Sequence, residues 1–110
     1  LVNSQNEPPT AASGNTTLGV VATSANLTKE QTNKLASIAH DGFALAIRPT
    51  HMMGDGDVIF ALATGQVQAS PPFSRLLAAT VRVVAKAITM AVLNAEGLGG
   101  IPGAREVINR

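Results

Sequence analysis

Three kinds of residue in this chain carry chemistry by type and spacing: a pair of threonines, a pair of aspartates and two histidines. Thr16 and Thr17 end a polar stretch and open an apolar, β-branched run in "SGNTTLGVV", residues 13–21. A threonine hydroxyl is a weak nucleophile that needs a base, and a chain-terminal threonine has one in its own α-amino group. That amine has an unperturbed pKa of about 7.7–8.0, so a useful fraction is neutral near pH 7. An internal threonine reaches this state by attacking the carbonyl before it, passing to an ester by N-to-O shift, and letting water cleave the ester. The Asn15-Thr16 junction offers a loose tail before the bond and a strand after it. The bland alternative is two strand-forming threonines, and the pattern alone leaves both open.

Asp55 and Asp57 stand two apart at the start of an apolar run, a spacing that lets two side chains project to one face. Such a pair can orient an amine or share protons during amide cleavage. It also fits a Gly-Asp turn with solvated carboxylates. A calcium loop would need further acidic ligands, and none follow. His40, beside Asp41, and His51, before Met52 and Met53, are bases by type. A terminal amine makes neither necessary, so each is read as a structural histidine. The two methionines either line a pocket or pack.

The elements that must hold these residues follow from pattern. Thr16–Thr23 (TTLGVVAT) is nearly continuous in apolar and β-branched residues and is expected as a buried strand. Thr28-Lys29-Glu30-Gln31 fits the capping box that starts a helix. Leu35, Ile38, Ala39, Gly42, Phe43, Ala46 and Ile47 follow at helical spacing, and Pro49 closes the segment. Asp57–Thr64 (DVIFALAT) is the second strand. Ser70-Pro71-Pro72 reads as a helix start with a serine cap, and the helix runs to about Glu96. Its inner face is expected from Leu76, Leu77, Val81, Val84, Ala85, Ile88, Ala91 and Val92. Arg75, Arg82 and Lys86 form one stripe on it, which argues for a mostly buried helix rather than a membrane span. The last stretch, GLGGIPGAREVINR, is expected as a glycine-rich tail.

The order strand, helix, strand, helix makes this an α/β chain. Two strands form a poor sheet alone, so further strands are expected from elsewhere. Composition agrees: 45% of the residues are hydrophobic and 14% charged, rich in apolar surface for 110 residues. Another polypeptide is expected to cover part of it. A net charge of +1 and three aromatics, all Phe, argue against a nucleic-acid surface. The lack of cysteine and of a basic-then-apolar leader pattern suits a cytoplasmic chain. The triplets at Asn15 and Asn26 that match a glycosylation site are attributed to chance. No cofactor or metal is called for.

Over residues 15–64 the chain resembles the DmpA-type family of self-processing peptidases and amidases. The resemblance lies in Asn-Thr-Thr, the V-V-A-T strand, L-T-K-E-Q, A-H-D-G, the R-P-x-H turn, the G-D-G-D loop and F-A-L-A-T-G, in that order. Within that family it looks closest to the nylon-oligomer endohydrolase branch, because many aminopeptidase relatives carry serine after glycine where this chain has Asn15-Thr16. The resemblance implies a precursor that cuts itself before the nucleophile. Residues 1–15 would end the α chain, and residues 16–110 would be the β chain. It further implies an α-β-β-α sandwich completed by the α chain, assembly of several αβ units, and amide hydrolysis through an acyl-enzyme on Thr16. Asp55 and Asp57 would stand beside the nucleophile, and the oxyanion donors would come largely from the α chain. An aminopeptidase, β-aminopeptidase or amino-acid amidase of the same family is the alternative. An inactive packing module, in which Thr16 never becomes terminal, is a third.

Overall fold

The computed structural model describes residues 14–69 and 71–109. Of the expected linker 1–15 only Gly14 and Asn15 are among them, and the serine cap at Ser70 lies outside. The elements are β1 (Leu18–Ala25), α1 (Lys29–Ala46), β2 (Val58–Val67), α2 (Phe73–Asn94) and a short α3 (Ala104–Ile108). The chain is therefore mixed α/β, in the expected order plus one helix.

The strands β1 and β2 pair in parallel, from Leu18 opposite Val58 to Thr23 opposite Ala63. A parallel pair needs a crossover, and α1 supplies it. Beyond Thr23 the ladder slips, so that Thr64, Gly65 and Gln66 stand against Ser24. Gly65 takes φ +69° there, a conformation that suits glycine.

The start of α1 is the capping box expected from its sequence. Gln31 N donates to Thr28 Oγ1 at 3.1 Å, and Thr28 N donates to Gln31 Oε1 at 2.9 Å. Leu35, Ala39, Gly42 and Phe43 are the buried residues of α1. Their spacing puts them on one stripe, which faces the sheet and α2. Ala39, Phe43 and Ile59 form the centre of the core, with Val21, Ile47, Val84 and Ile88 packed around them. The two helices touch at Gly42, where an added Cβ would lie 2.7 Å from Val84 Cβ and 2.8 Å from Val81 O. Only a residue without a side chain permits that approach.

Several expectations need correction. β1 starts at Leu18 and is not buried on both faces: Leu18 and Val20 are 71% and 68% exposed. Phe60 and Leu62 of β2 are likewise exposed. The helices cover one face of the sheet, and among the described residues nothing covers the other. The inner face of α2 holds for Leu76 to Ile88, but Ala91 and Val92 are exposed. Thr80 is the one buried residue described in α2, so the helix is not mostly buried within this chain. The single long helix α1, the short α3 and a two-stranded sheet are too narrow to enclose it. By length and composition α2 would also suffice to cross a membrane. The glycine-rich end is not all tail, since Gly103 leads into α3.

Candidate functional site

The segment just before β1 and the loop before β2 meet at the Asn15-Thr16 junction. Gly56 N donates to Asn15 O at 2.8 Å, and Val58 N donates to Thr17 O at 3.1 Å. Asn15 forms an isolated parallel bridge with Asp55. Sheet pairing thus continues past the start of β1 and fixes the backbone on both sides of Thr16. Gly56 also lies against the Thr16 side chain: a Cβ on it would sit 3.0 Å from Thr16 Oγ1. Thr16 itself is exposed.

The two aspartates have separate duties. Asp55 Oδ2 accepts from Met52 N at 2.7 Å, while Asp55 N donates to Met52 O at 2.9 Å. This closes the turn that presents Gly56. Asp57 Oδ1 accepts from Thr17 N at 2.9 Å, and its Oδ2 lies 2.8 Å from His51 Nδ1. Thr50 Oγ1 reaches the same oxygen at 3.5 Å. The Thr17 amide holds the Asp57 carboxyl below the usual carboxylate range, helped by His51 and opposed by desolvation. Among the described residues neither carboxylate bonds the Thr16 hydroxyl directly.

Thr17, the second threonine of the pair, gives Asp57 its backbone partner. The histidines are also more than isolated packing residues. His51 Nε2 lies 3.0 Å from His40 Nδ1, so that Asp57, His51 and His40 form a continuous chain. Both rings pack near the buried Phe43, His40 edge-on at 5.4 Å between centroids and His51 tilted at 6.0 Å. Among the described residues no three such side chains are placed to hold a metal ion. Met52 and Met53 are exposed, Met53 fully.

Sequence reasoning named Thr16, Asp55 and Asp57 but missed Gly56 and the link between the histidines. The glycine-aspartate alternation of GDGD was the available signal for Gly56. For His40 and His51 the eleven-residue separation carried none.

An apolar groove opens beside this junction. It runs between the start of β1 and the second half of α2, with Leu18, Val20, Phe43, Val84 and Ile88 among its walls and a volume near 370 Å³.

Comparison with known proteins places this geometry in context. The model of peptidase family S58 matches residues 1–106. An uncharacterized aminopeptidase of Mycobacterium tuberculosis is 41% identical over 106 residues, covering 84% of this chain and 31% of that protein. An uncharacterized aminopeptidase of Mycobacterium leprae is 44% identical over 101 residues, covering 80% and 28%. A 6-aminohexanoate-oligomer endohydrolase of Paenarthrobacter ureafaciens is 32% identical over 60 residues, covering 54% and 17%. The chain thus spans under a third of the length of these relatives, and the aminopeptidases match it over more residues than the endohydrolase does.

Proposed function

Because the chain belongs to peptidase family S58, the DmpA family, we propose that it is the nucleophile-bearing part of a self-processing amide hydrolase, with Thr16 as the nucleophile. The observation that carries this reading is the Asn15 carbonyl on the Gly56 amide, next to the Thr16 hydroxyl. An N–H aimed at a carbonyl oxygen stabilises the negative charge that develops there under attack. In processing, Thr16 Oγ adds to the Asn15 carbonyl carbon, the C–N bond breaks, and the hydroxyl proton passes to the released amine. Water then hydrolyses the ester, leaving an Asn15 carboxylate and a free Thr16 amine.

In turnover the same hydroxyl attacks a substrate amide and its own amine takes the proton. That proton goes to the leaving amine, and water releases the acid from the acyl-enzyme. Asp57 positions the nucleophile through Thr17, and Asp55 shapes the loop. Residues 1–15 would then end one chain and 16–110 form the other. The α chain of the same precursor would cover the bare face of the sheet, complete the sandwich and supply further oxyanion donors. The αβ units would assemble into an oligomer in the cytoplasm.

Linear amides such as 6-aminohexanoate oligomers are the first substrate class, suggested by the Asn-Thr junction. Peptide or amino-acid amide N-termini are the second, favoured by the higher identity and coverage of the mycobacterial aminopeptidases. Assay of an aminohexanoate oligomer against amino-acid p-nitroanilides separates the two. Intact mass spectrometry of the full-length protein tests the nucleophile itself. Wild type should be cut between Asn15 and Thr16, and Thr16→Ala should stay whole. An active enzyme with the Asn15-Thr16 bond intact overturns the reading, and an uncut protein without activity favours the packing module.

A further inference from the structure

The chain Asp57–His51–His40 ends at the nucleophile's neighbour, and its geometry gives the two histidines a task. We propose that His51 and His40 are positioning residues for amide cleavage, which act through Asp57 to lock the Thr17 amide and so fix the Thr16 hydroxyl for attack. The inference rests on the assignment of Thr16 as the nucleophile.

Every donor and acceptor along the chain is matched by one arrangement of protons. Asp57 Oδ1 accepts from Thr17 N at 2.9 Å, so its Oδ2 faces His51 Nδ1 at 2.8 Å as an acceptor. His51 then carries its proton on Nδ1 and presents a bare Nε2. His40 Nδ1, 3.0 Å away, donates to that nitrogen. No donor then faces a donor along the chain. Both ring nitrogens of His51 are therefore committed, which removes it from service as a base. The Asp57 side chain is 6% exposed, so its orientation is set by these partners rather than by solvent.

The backbone supports the same reading. His51 has φ +56°, the left-handed region, which is unfavourable for a residue with a side chain. Histidine is among the residues enriched there, and the conformation persists when surrounding contacts hold it. Here those contacts are Asp57 on one ring nitrogen and His40 on the other. The far end is anchored in the core, because His40 meets the Phe43 ring edge-on and Phe43 is 1% exposed.

The effect on Thr16 follows from peptide planarity. Gly56 N on Asn15 O fixes the plane before Thr16, and Asp57 on Thr17 N fixes the plane after it. Two fixed planes set the direction of the Thr16 Cα–Cβ bond, and Gly56 lies against the hydroxyl it carries. Loss of the histidine support frees the second plane.

Self-cleavage of the full-length precursor is the readout, since it needs no substrate. The precursor is made by cell-free synthesis, and cutting is followed by intact mass, with the melting temperature of each variant taken alongside. His51→Gly suits the left-handed backbone but removes the ring. It should slow cleavage about 100-fold, the cost of displacing a reacting group by about an ångström. His51→Asn also tolerates that backbone, and its amide N–H donates to Asp57 near the place of Nδ1. It should restore most of the rate. His40→Ala should fall between the two.

Wild-type cleavage rates in His51→Gly overturn the inference. So does a loss that asparagine fails to restore and that follows the melting temperature, which would mark a packing role. Thr16→Ala keeps the two levels apart. If it is still cut, the nucleophile assignment fails. If it stays whole while the histidine variants cleave normally, only the positioning role fails.

Discussion

The Gly56 amide and the Asn15 carbonyl oxygen are 2.8 Å apart, so the bond before Thr16 is held by the loop that carries both aspartates. Side chain and backbone of one tetrapeptide, Gly54-Asp55-Gly56-Asp57, thereby act on a junction forty residues upstream. Gly56 does so twice, by its N–H and by having no Cβ to press on Thr16 Oγ1.

Gly56→Ala should leave the fold intact and slow self-cleavage by about 100-fold, because a Cβ 3.0 Å from the Thr16 oxygen displaces the attacking atom. Mass measurement of the precursor over time gives the rate. Cutting at the normal pace would mean that the hydroxyl does not lie against this residue when it reacts.

Asp57 should make the junction sensitive to acid. A carboxylate with a depressed folded pKa stabilises the fold above its unfolded value, 3.8 for Asp57, and ceases to do so as pH falls through the folded one. The contribution of this group should therefore be full and independent of pH near neutrality, and should decline below pH 3.8. Acid unfolding of the full-length protein is the measurement, with Asp57→Asn for comparison. If the wild type and Asp57→Asn lose stability in parallel over that range, the Thr17 and His51 contacts do not hold the carboxylate.

Gly42→Ala should destabilise despite the usual gain of replacing glycine within a helix. That gain is about 0.5–1 kcal/mol, whereas overpacking costs about 1–3 kcal/mol. The Val81 carbonyl, 2.8 Å from the new Cβ, is backbone and cannot turn aside. The expected net loss is about 1–2 kcal/mol in urea unfolding of the full-length protein. A stabilised variant would show that α1 and α2 lie farther apart than described.

Thr28→Ala should cost about 1 kcal/mol, since Gln31 N loses its acceptor at the start of α1. The same urea titration reads it. A change near zero would mean that water caps the helix equally well.

The capping box was legible because it is local: four consecutive residues name both partners. The strands and α1 were legible for the same reason, from runs and spacing within each segment. The histidine chain was not. His40 lies on α1 and His51 in the following loop, and only the left-handed turn at His51 brings the rings together. Gly56 was quoted in a motif but its N–H had no visible target, because the Asn15 carbonyl reaches it only through parallel pairing. α3 was lost among glycines, being five residues long with no apolar stripe of its own. The apparent burial of β1 reflected residue type, whereas Leu18 and Val20 report what this chain alone leaves uncovered.

Leu18, Val20, Phe60 and Leu62 give the sheet a greasy outer side, and this bears on the order of events during biosynthesis. Released alone from a ribosome, the segment would meet sister molecules or chaperones on that side and clump. On the proposed reading, translation as one piece with the α chain would avoid the hazard and deliver both halves in equal number. Severing the link would then be safest as a late event, and the Asn15 carbonyl meets the Gly56 amide only after the two strands have come together.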